Sequence, residues 1–78
     1  MDCLRPDDPR DAVITTDFIE LDKLLKRENL AASGGEARYL ISQGEVLVNG
    51  AVETRKRRKC YPGDLVCFAG AAIRVVLP

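Results

Sequence analysis

At Gly44 the apolar period of this chain switches from the 3.6 residues of a helix to the two of a strand, so a helical layer must meet a sheet. Before Gly44, Leu21, Leu24 and Leu25 recur at i, i+3 and i+4, and Ala37, Leu40 and Ile41 repeat the pattern. After it, Val46 and Val48 alternate with Glu45, Leu47 and Asn49, and Asn49-Gly50 is the preferred pair for a type I′ hairpin turn. Residues 51–54 are the expected returning strand. Tyr61-Pro62-Gly63-Asp64 sets Pro second and Gly third, as a turn requires. Residues 65–68 read as a third strand, Gly70 as a break, and residues 73–77 as a fourth. Two helices this short are stable only when packed on each other and on a sheet. The expected class is α+β, with two short helices on one face of a small, mostly antiparallel sheet that includes a β-hairpin.

Local signals place the element ends. Asp17 offers an N-cap oxygen and Glu20 follows three residues later, a capping box for a helix ending near Glu28. On that helix Asp22, Lys23, Lys26 and Arg27 take the face opposite the leucines. Ser33 caps the second helix, again with Glu36 three residues on, and Gly44 supplies the left-handed residue that stops it. Gly34-Gly35 in its first turn cost up to about 1 kcal/mol each relative to Ala. Either an anion approaches the free N–H groups there, or the glycines relieve a tight approach between helices. Residues 13–15 are mostly β-branched and suit a short edge strand. Residues 1–12 are polar, with Pro6 and Pro9, and read as a flexible acidic leader, leaving 13–78 as one domain.

Seventy-eight residues without Trp build only a modest core, with stability on the order of 5 kcal/mol and little room for an enclosed catalytic cavity. Surface binding is the better expectation. The chain has no His, no phosphate-cradling Gly-rich loop and no nucleophile beside an evident base, so no catalytic residues and no cofactor are expected. Glu53 and Asp64 read as a strand-face and a turn residue. Cys3, Cys60 and Cys67 are odd in number and lack a CxxC pair, which excludes a His/Cys zinc site and suits a reducing cytosol. Cys67 falls in an apolar strand run and is expected to pack as a small hydrophobe. Neither a signal peptide nor a membrane-length apolar run is seen, so a soluble, cytoplasmic protein is expected.

A formal net charge of zero conceals an asymmetry. Residues 1–17 carry five Asp against two Arg, leaving −3, and the ten basic and seven acidic side chains beyond them leave +3. Five consecutive cations, Arg55-Lys56-Arg57-Arg58-Lys59, follow the hairpin directly. Like charges held this close are stable on a folded surface when solvated or facing an anion, and phosphate backbones are the anion such a fixed edge most often meets. In an extended strand Arg55, Arg57 and Lys59 would face one side and Lys56 and Arg58 the other. Arg57 and Arg58 are expected to be solvent-facing. A solvated edge that discourages strand aggregation, or one that docks an acidic protein, are the competing readings. Tyr39 is expected to be partly buried, and few exposed aromatics argue against single-strand recognition by base stacking.

Residues 18–68 resemble the RNA-binding domain named after ribosomal small-subunit protein four, the S-four domain. The resemblance rests on Leu21-Asp22-Lys23-Leu24-Leu25, on Ser33 with Ala37-Arg38, on Gly44-x-Val46-x-Val48-Asn49-Gly50, and on Pro62-Gly63-Asp64. Ser33-Gly34-Gly35 together with Glu53-Thr54-Arg55-Lys56-Arg57 is similar to the YbcJ-like branch of small free-standing bacterial members. That resemblance implies the alpha-L fold and binding of structured RNA, ribosomal or transfer RNA, by shape and backbone. Carried over by position, Lys23, Ser33, Gly35 and Arg38 would line the helical part of the surface, and Arg55, Lys56, Arg57 and Arg58 would extend it. Glu20 departs from the pattern, since many relatives have Arg just before the Leu-Asp of the first helix.

The combined expectation is a monomeric, non-enzymatic RNA-binding module acting in translation or ribosome assembly, with the ribosomal particle a further partner and no membrane. Lys26, Arg27 and Lys59 join the residues above as candidate RNA contacts. The alternative is a protein-interaction module docking an acidic partner through the basic edge. A third possibility is a switch in which the acidic leader folds back on that edge.

Overall fold

The computed structural model describes residues 9–78, and Cys3 and the first eight residues of the expected leader lie outside them. Nine elements follow in order: β1 Arg10–Val13, β2 Ile19–Glu20, α1 Leu21–Arg27, α2 Gly34–Ser42, β3 Val46–Val48, β4 Ala51–Val52, β5 Lys59–Cys60, β6 Leu65–Phe68 and β7 Ala71–Val76. One sheet has the order β1-β7-β6-β3-β4, and β2 and β5 form a separate antiparallel pair. All pairings are antiparallel except β1 with β7.

The helices pack on each other and on the larger sheet through aliphatic side chains. Leu21, Leu24 and Leu25 of α1 and Ala37 and Ile41 of α2 share one cluster with Val46, Val48, Val66, Ile73 and Val75 of the strands. Leu40 packs against its margin. Cys60 is fully buried there, and burial pushes its thiol up to about 11, which keeps it protonated and unreactive at neutral pH. Cys67 is also buried, in β6.

Several local signals act as expected. Ser33 caps α2 by accepting from the Glu36 N–H at 3.1 Å, while the Glu36 carboxylate accepts from the Ala32 N–H at 3.1 Å. Asn49 and Gly50 both take positive φ, 53° and 84°, as a type I′ turn demands. Two expectations change. Residues 10–12, assigned to the leader, are strand, because β1 finds its partner at the far end of the chain, where Ala12 pairs with Val75. Helix α1 starts at Leu21 rather than after Asp17, and its N-cap Glu20 makes no side-chain cap bond. Backbone carbonyls satisfy its first turn instead: Leu21 N–H donates to Arg58 O at 2.9 Å and Asp22 N–H to Lys56 O at 3.2 Å. The basic run is thereby strapped across the start of α1.

Candidate nucleic-acid interface

The strap decides where the cations go. Residues 53–58 are not a continuous strand: after β4 the chain turns, with Arg58 N–H donating to Arg55 O at 3.3 Å, and rejoins a ladder only where β5 pairs with β2. The two-sided alternation expected of an extended run is therefore replaced by a fan, because the helix end draws in carbonyls of Lys56 and Arg58. Lys56, Arg57 and Lys59 are exposed.

Arg58 is not solvent-facing, contrary to expectation; its side chain is 23% exposed. Its Nε lies 3.0 Å from Glu53 Oε1 and its Nη1 3.2 Å from Asp64 Oδ2, so one guanidinium bridges two carboxylates. Glu53 is buried and is also gripped by Arg55 through its Nε, its Nη2 and its backbone N–H, each at 3.0 Å. The Arg55 bonds hold the Glu53 carboxyl down to about 2 against the opposing effect of burial, with the Arg58 charge adding to them. Burial pushes Asp64 up, but bonds from the Tyr61 N–H, Asn49 and Arg58 outweigh it and leave Asp64 below its ordinary range. Asn49 completes the clasp: its amide donates to Asp64 Oδ1 at 3.1 Å and its carbonyl accepts from Leu65 N–H at 2.9 Å. A polar network that joins the hairpin, the basic loop and the Tyr61 turn thus fixes the loop in place.

The front of the molecule is a groove of about 310 Å³ between the helices and this loop, lined by Glu20, Asp22, Lys23, Lys26, Gly34, Arg38 and Arg57. Four cations from three separated stretches of sequence meet there. Asp22 is buried beneath them, not exposed with Lys23 as the helix pattern implies, and its Oδ2 lies 3.5 Å from Arg38 Nη1. A Cβ on Gly34 would sit 3.2 Å from that same nitrogen, so this glycine makes room for the Arg38 guanidinium at the start of α2. Lys23 is 3.0 Å from Glu20, whose carboxyl is held below its ordinary value first by the Lys23 bond and also by the charges of Lys23, Arg57 and Lys59. Arg57 also lines a neighbouring open hollow of about 490 Å³ with Arg55, Arg58 and Lys59, which extends the basic face along the loop.

The other candidates lie elsewhere or are engaged within the fold. Arg27 donates to the Val13 carbonyl, away from the groove. Ser33 is occupied as the α2 cap, and a Cβ on Gly35 would meet only Ser33 Oγ, at 3.8 Å. Among the described residues Lys26, Lys56, Arg57 and Lys59 make no salt bridge, which leaves them available to an external anion. Tyr39, expected to be partly buried, is 61% exposed because it sits on the face of α2 turned away from the sheet. Among the same residues no group of three or more His, Cys, Asp or Glu could hold a metal ion, and no helix is long and apolar enough to cross a membrane.

Known proteins are similar to this chain in sequence and fold. Residues 12–76 match the family described as the S4 domain. YbcJ of Escherichia coli (strain K12), whose name marks it as an RNA-binding protein, is 50% identical over 58 residues, 74% of this chain and 83% of that one. RlbA of Bacillus subtilis (strain 168), named as a ribosome maturation protein, is 42% identical over 57 residues, 73% of this chain and 80% of its own. The solution structure of E. coli YbcJ, described as revealing an alphaL motif involved in RNA binding, superposes with a TM-score of 0.63 at 43% identity, covering 87% of this chain and 85% of that chain.

Proposed function

This chain belongs to the S4 domain family, and on that premise we propose that it binds structured RNA, ribosomal or transfer RNA, without catalysing a reaction on it. One observation carries the proposal: Lys23, Lys26, Arg38 and Arg57, remote in sequence, line a single groove. Cations at fixed spacing along a groove neutralise successive phosphates and release their counterions, while the rigid helix pair supplies the shape that selects folded RNA. The names of two relatives, an RNA-binding protein and a ribosome maturation protein, support a role in ribosome assembly or translation. The protein acts as a monomer in the cytoplasm, with the ribosomal particle as the natural setting for such an RNA.

Charge reversal tests the site. Lys26→Glu with Arg57→Glu should abolish retention of structured RNA while the thermal melt stays unchanged, because both side chains are exposed. Full binding by a folded double variant would move the site off the groove. Crosslinking in cells, followed by sequencing of the attached RNA, should recover ribosomal or transfer RNA, and recovery of messenger RNA alone would refute that assignment.

A further inference from the structure

Four aromatic side chains exist in the chain, and the core cluster uses only Phe68, at its margin. Phe18 and Tyr61 lie outside it and touch each other, with ring centroids 5.9 Å apart and planes inclined by 49°. The register of the small β2–β5 ladder explains the meeting: Ile19 pairs with Cys60 and Glu20 with Lys59, so Phe18 and Tyr61 face each other one step further along. Lys59 Nζ stands 4.8 Å over the Phe18 ring. A single half-exposed tyrosine is ordinary; a tyrosine built into a rigid mount beside a second ring and a cation is not.

The mount is firm. Tyr61 N–H donates to Asp64 Oδ2 and Tyr61 O accepts from Asp64 N–H, both at 2.9 Å, and Pro62 fixes the backbone between them. Asp64 is itself held by Arg58, so the clasp that places the basic loop also places this ring. Tyr61 is 48% exposed. Phe18 borders an open hollow of about 600 Å³, and Glu20 and Lys23 line both this hollow and the basic groove, so the two adjoin.

We propose that the exposed Tyr61 ring, backed by Phe18, is a stacking platform for one unpaired nucleobase at the margin of the groove, with the Lys59 ammonium over the Phe18 ring to take the adjoining phosphate. This rests on the RNA-binding reading above and adds to it a selectivity. Every base presents a π-face, so the platform distinguishes unpaired from paired nucleotides rather than one base from another. A bulge, a loop or an overhang next to a helical segment would be preferred over an uninterrupted duplex.

The test uses two blunt RNA duplexes of the same sequence, one carrying a single bulged 2-aminopurine. The intact protein should bind the bulged duplex more tightly, on the order of tenfold, and quench the 2-aminopurine fluorescence on binding. Tyr61→Ala should bind both duplexes with the affinity the intact protein shows for the paired one, and Tyr61→Phe should keep the preference. Equal affinity of the intact protein for the two duplexes, or a preference that survives Tyr61→Ala, would overturn the platform while leaving the groove proposal standing. Absence of salt-dependent binding to either duplex would overturn both. The fluorescence change is read on the intact protein, so the test does not depend on a variant folding.

Discussion

Replacing Arg58 with alanine removes a side chain that touches both Glu53 and Asp64 at 3.0 and 3.2 Å. The cost follows from what remains. Removing one partner of a buried ion pair costs about 3–5 kcal/mol when the other charge is left uncompensated. Here Glu53 keeps Arg55, and Asp64 keeps the Tyr61 and Asn49 bonds, so the charges are only partly orphaned. Arg58 is also about a quarter exposed, which weakens each pair by solvent screening. A loss of about 2 kcal/mol is the expected result, against a total on the order of 5 for a domain this size. At roughly 4–8 °C per kcal/mol, the melting temperature should fall by about 8–16 °C. Urea unfolding measures this directly, with Arg57→Ala as the control, because it removes the same charge from the adjacent, exposed residue. The Arg58 variant should lose midpoint at an unchanged slope, and the Arg57 variant should keep the parent midpoint. Equal midpoints for the two variants would refute a structural role for Arg58.

Three further outcomes follow from the same geometry. The Glu53 carboxyl, lowered from 4.5 to about 2, contributes stability that is fully present above pH 5 and lost as pH falls toward 2; acid unfolding followed by circular dichroism should lose much of that dependence in Glu53→Gln, and an unaltered acid limb would contradict it. Glu20→Gln frees Lys23 from its internal partner, so RNA affinity should rise and its salt dependence steepen by about 0.9 in log–log slope, whereas weaker binding would show that Glu20 assists the RNA. Ala69 holds a φ of +51° in the β6–β7 turn before Gly70, a region that Asn tolerates better than Ala. Ala69→Asn should stabilise by about 0.5–1 kcal/mol in a urea titration, and a neutral or negative change would count against strain at that turn.

How much of this was legible beforehand differs by element. The α2 cap, the Asn49-Gly50 hairpin and the alternating Val46 and Val48 are local devices, in which residues a few positions apart dictate geometry. The edge strand expected at residues 13–15 is β1, three residues earlier at Arg10–Val13, and the β2–β5 ladder was not visible, because each is set by a partner far along the chain: Ala12 by Val75, and Ile19 by Cys60. The same limit governs the site. The five-cation run announced itself, but its division into Arg58 as an internal tie and Arg57 as a groove residue arises from the carbonyls drawn to the start of α1. Asp22 looked like a surface residue of an amphipathic helix and proved to be the buried counter-charge of Arg38. Glu53 followed by an Arg two residues later is a weak signal for an ion pair, and its second partner, Arg58, shows only once the loop has turned. Phe18 and Tyr61 carry no shared sequence signature at all.

The most direct measurement is the affinity of the intact protein for a folded RNA as a function of salt. Among the described residues Lys26, Lys56, Arg57 and Lys59 make no salt bridge, and if each meets one phosphate, log affinity should fall against log salt with a slope of about −3.6. A slope near zero would mean that these charges meet no phosphates, and the basic face formed by the groove and the adjoining loop would then have to serve something other than RNA.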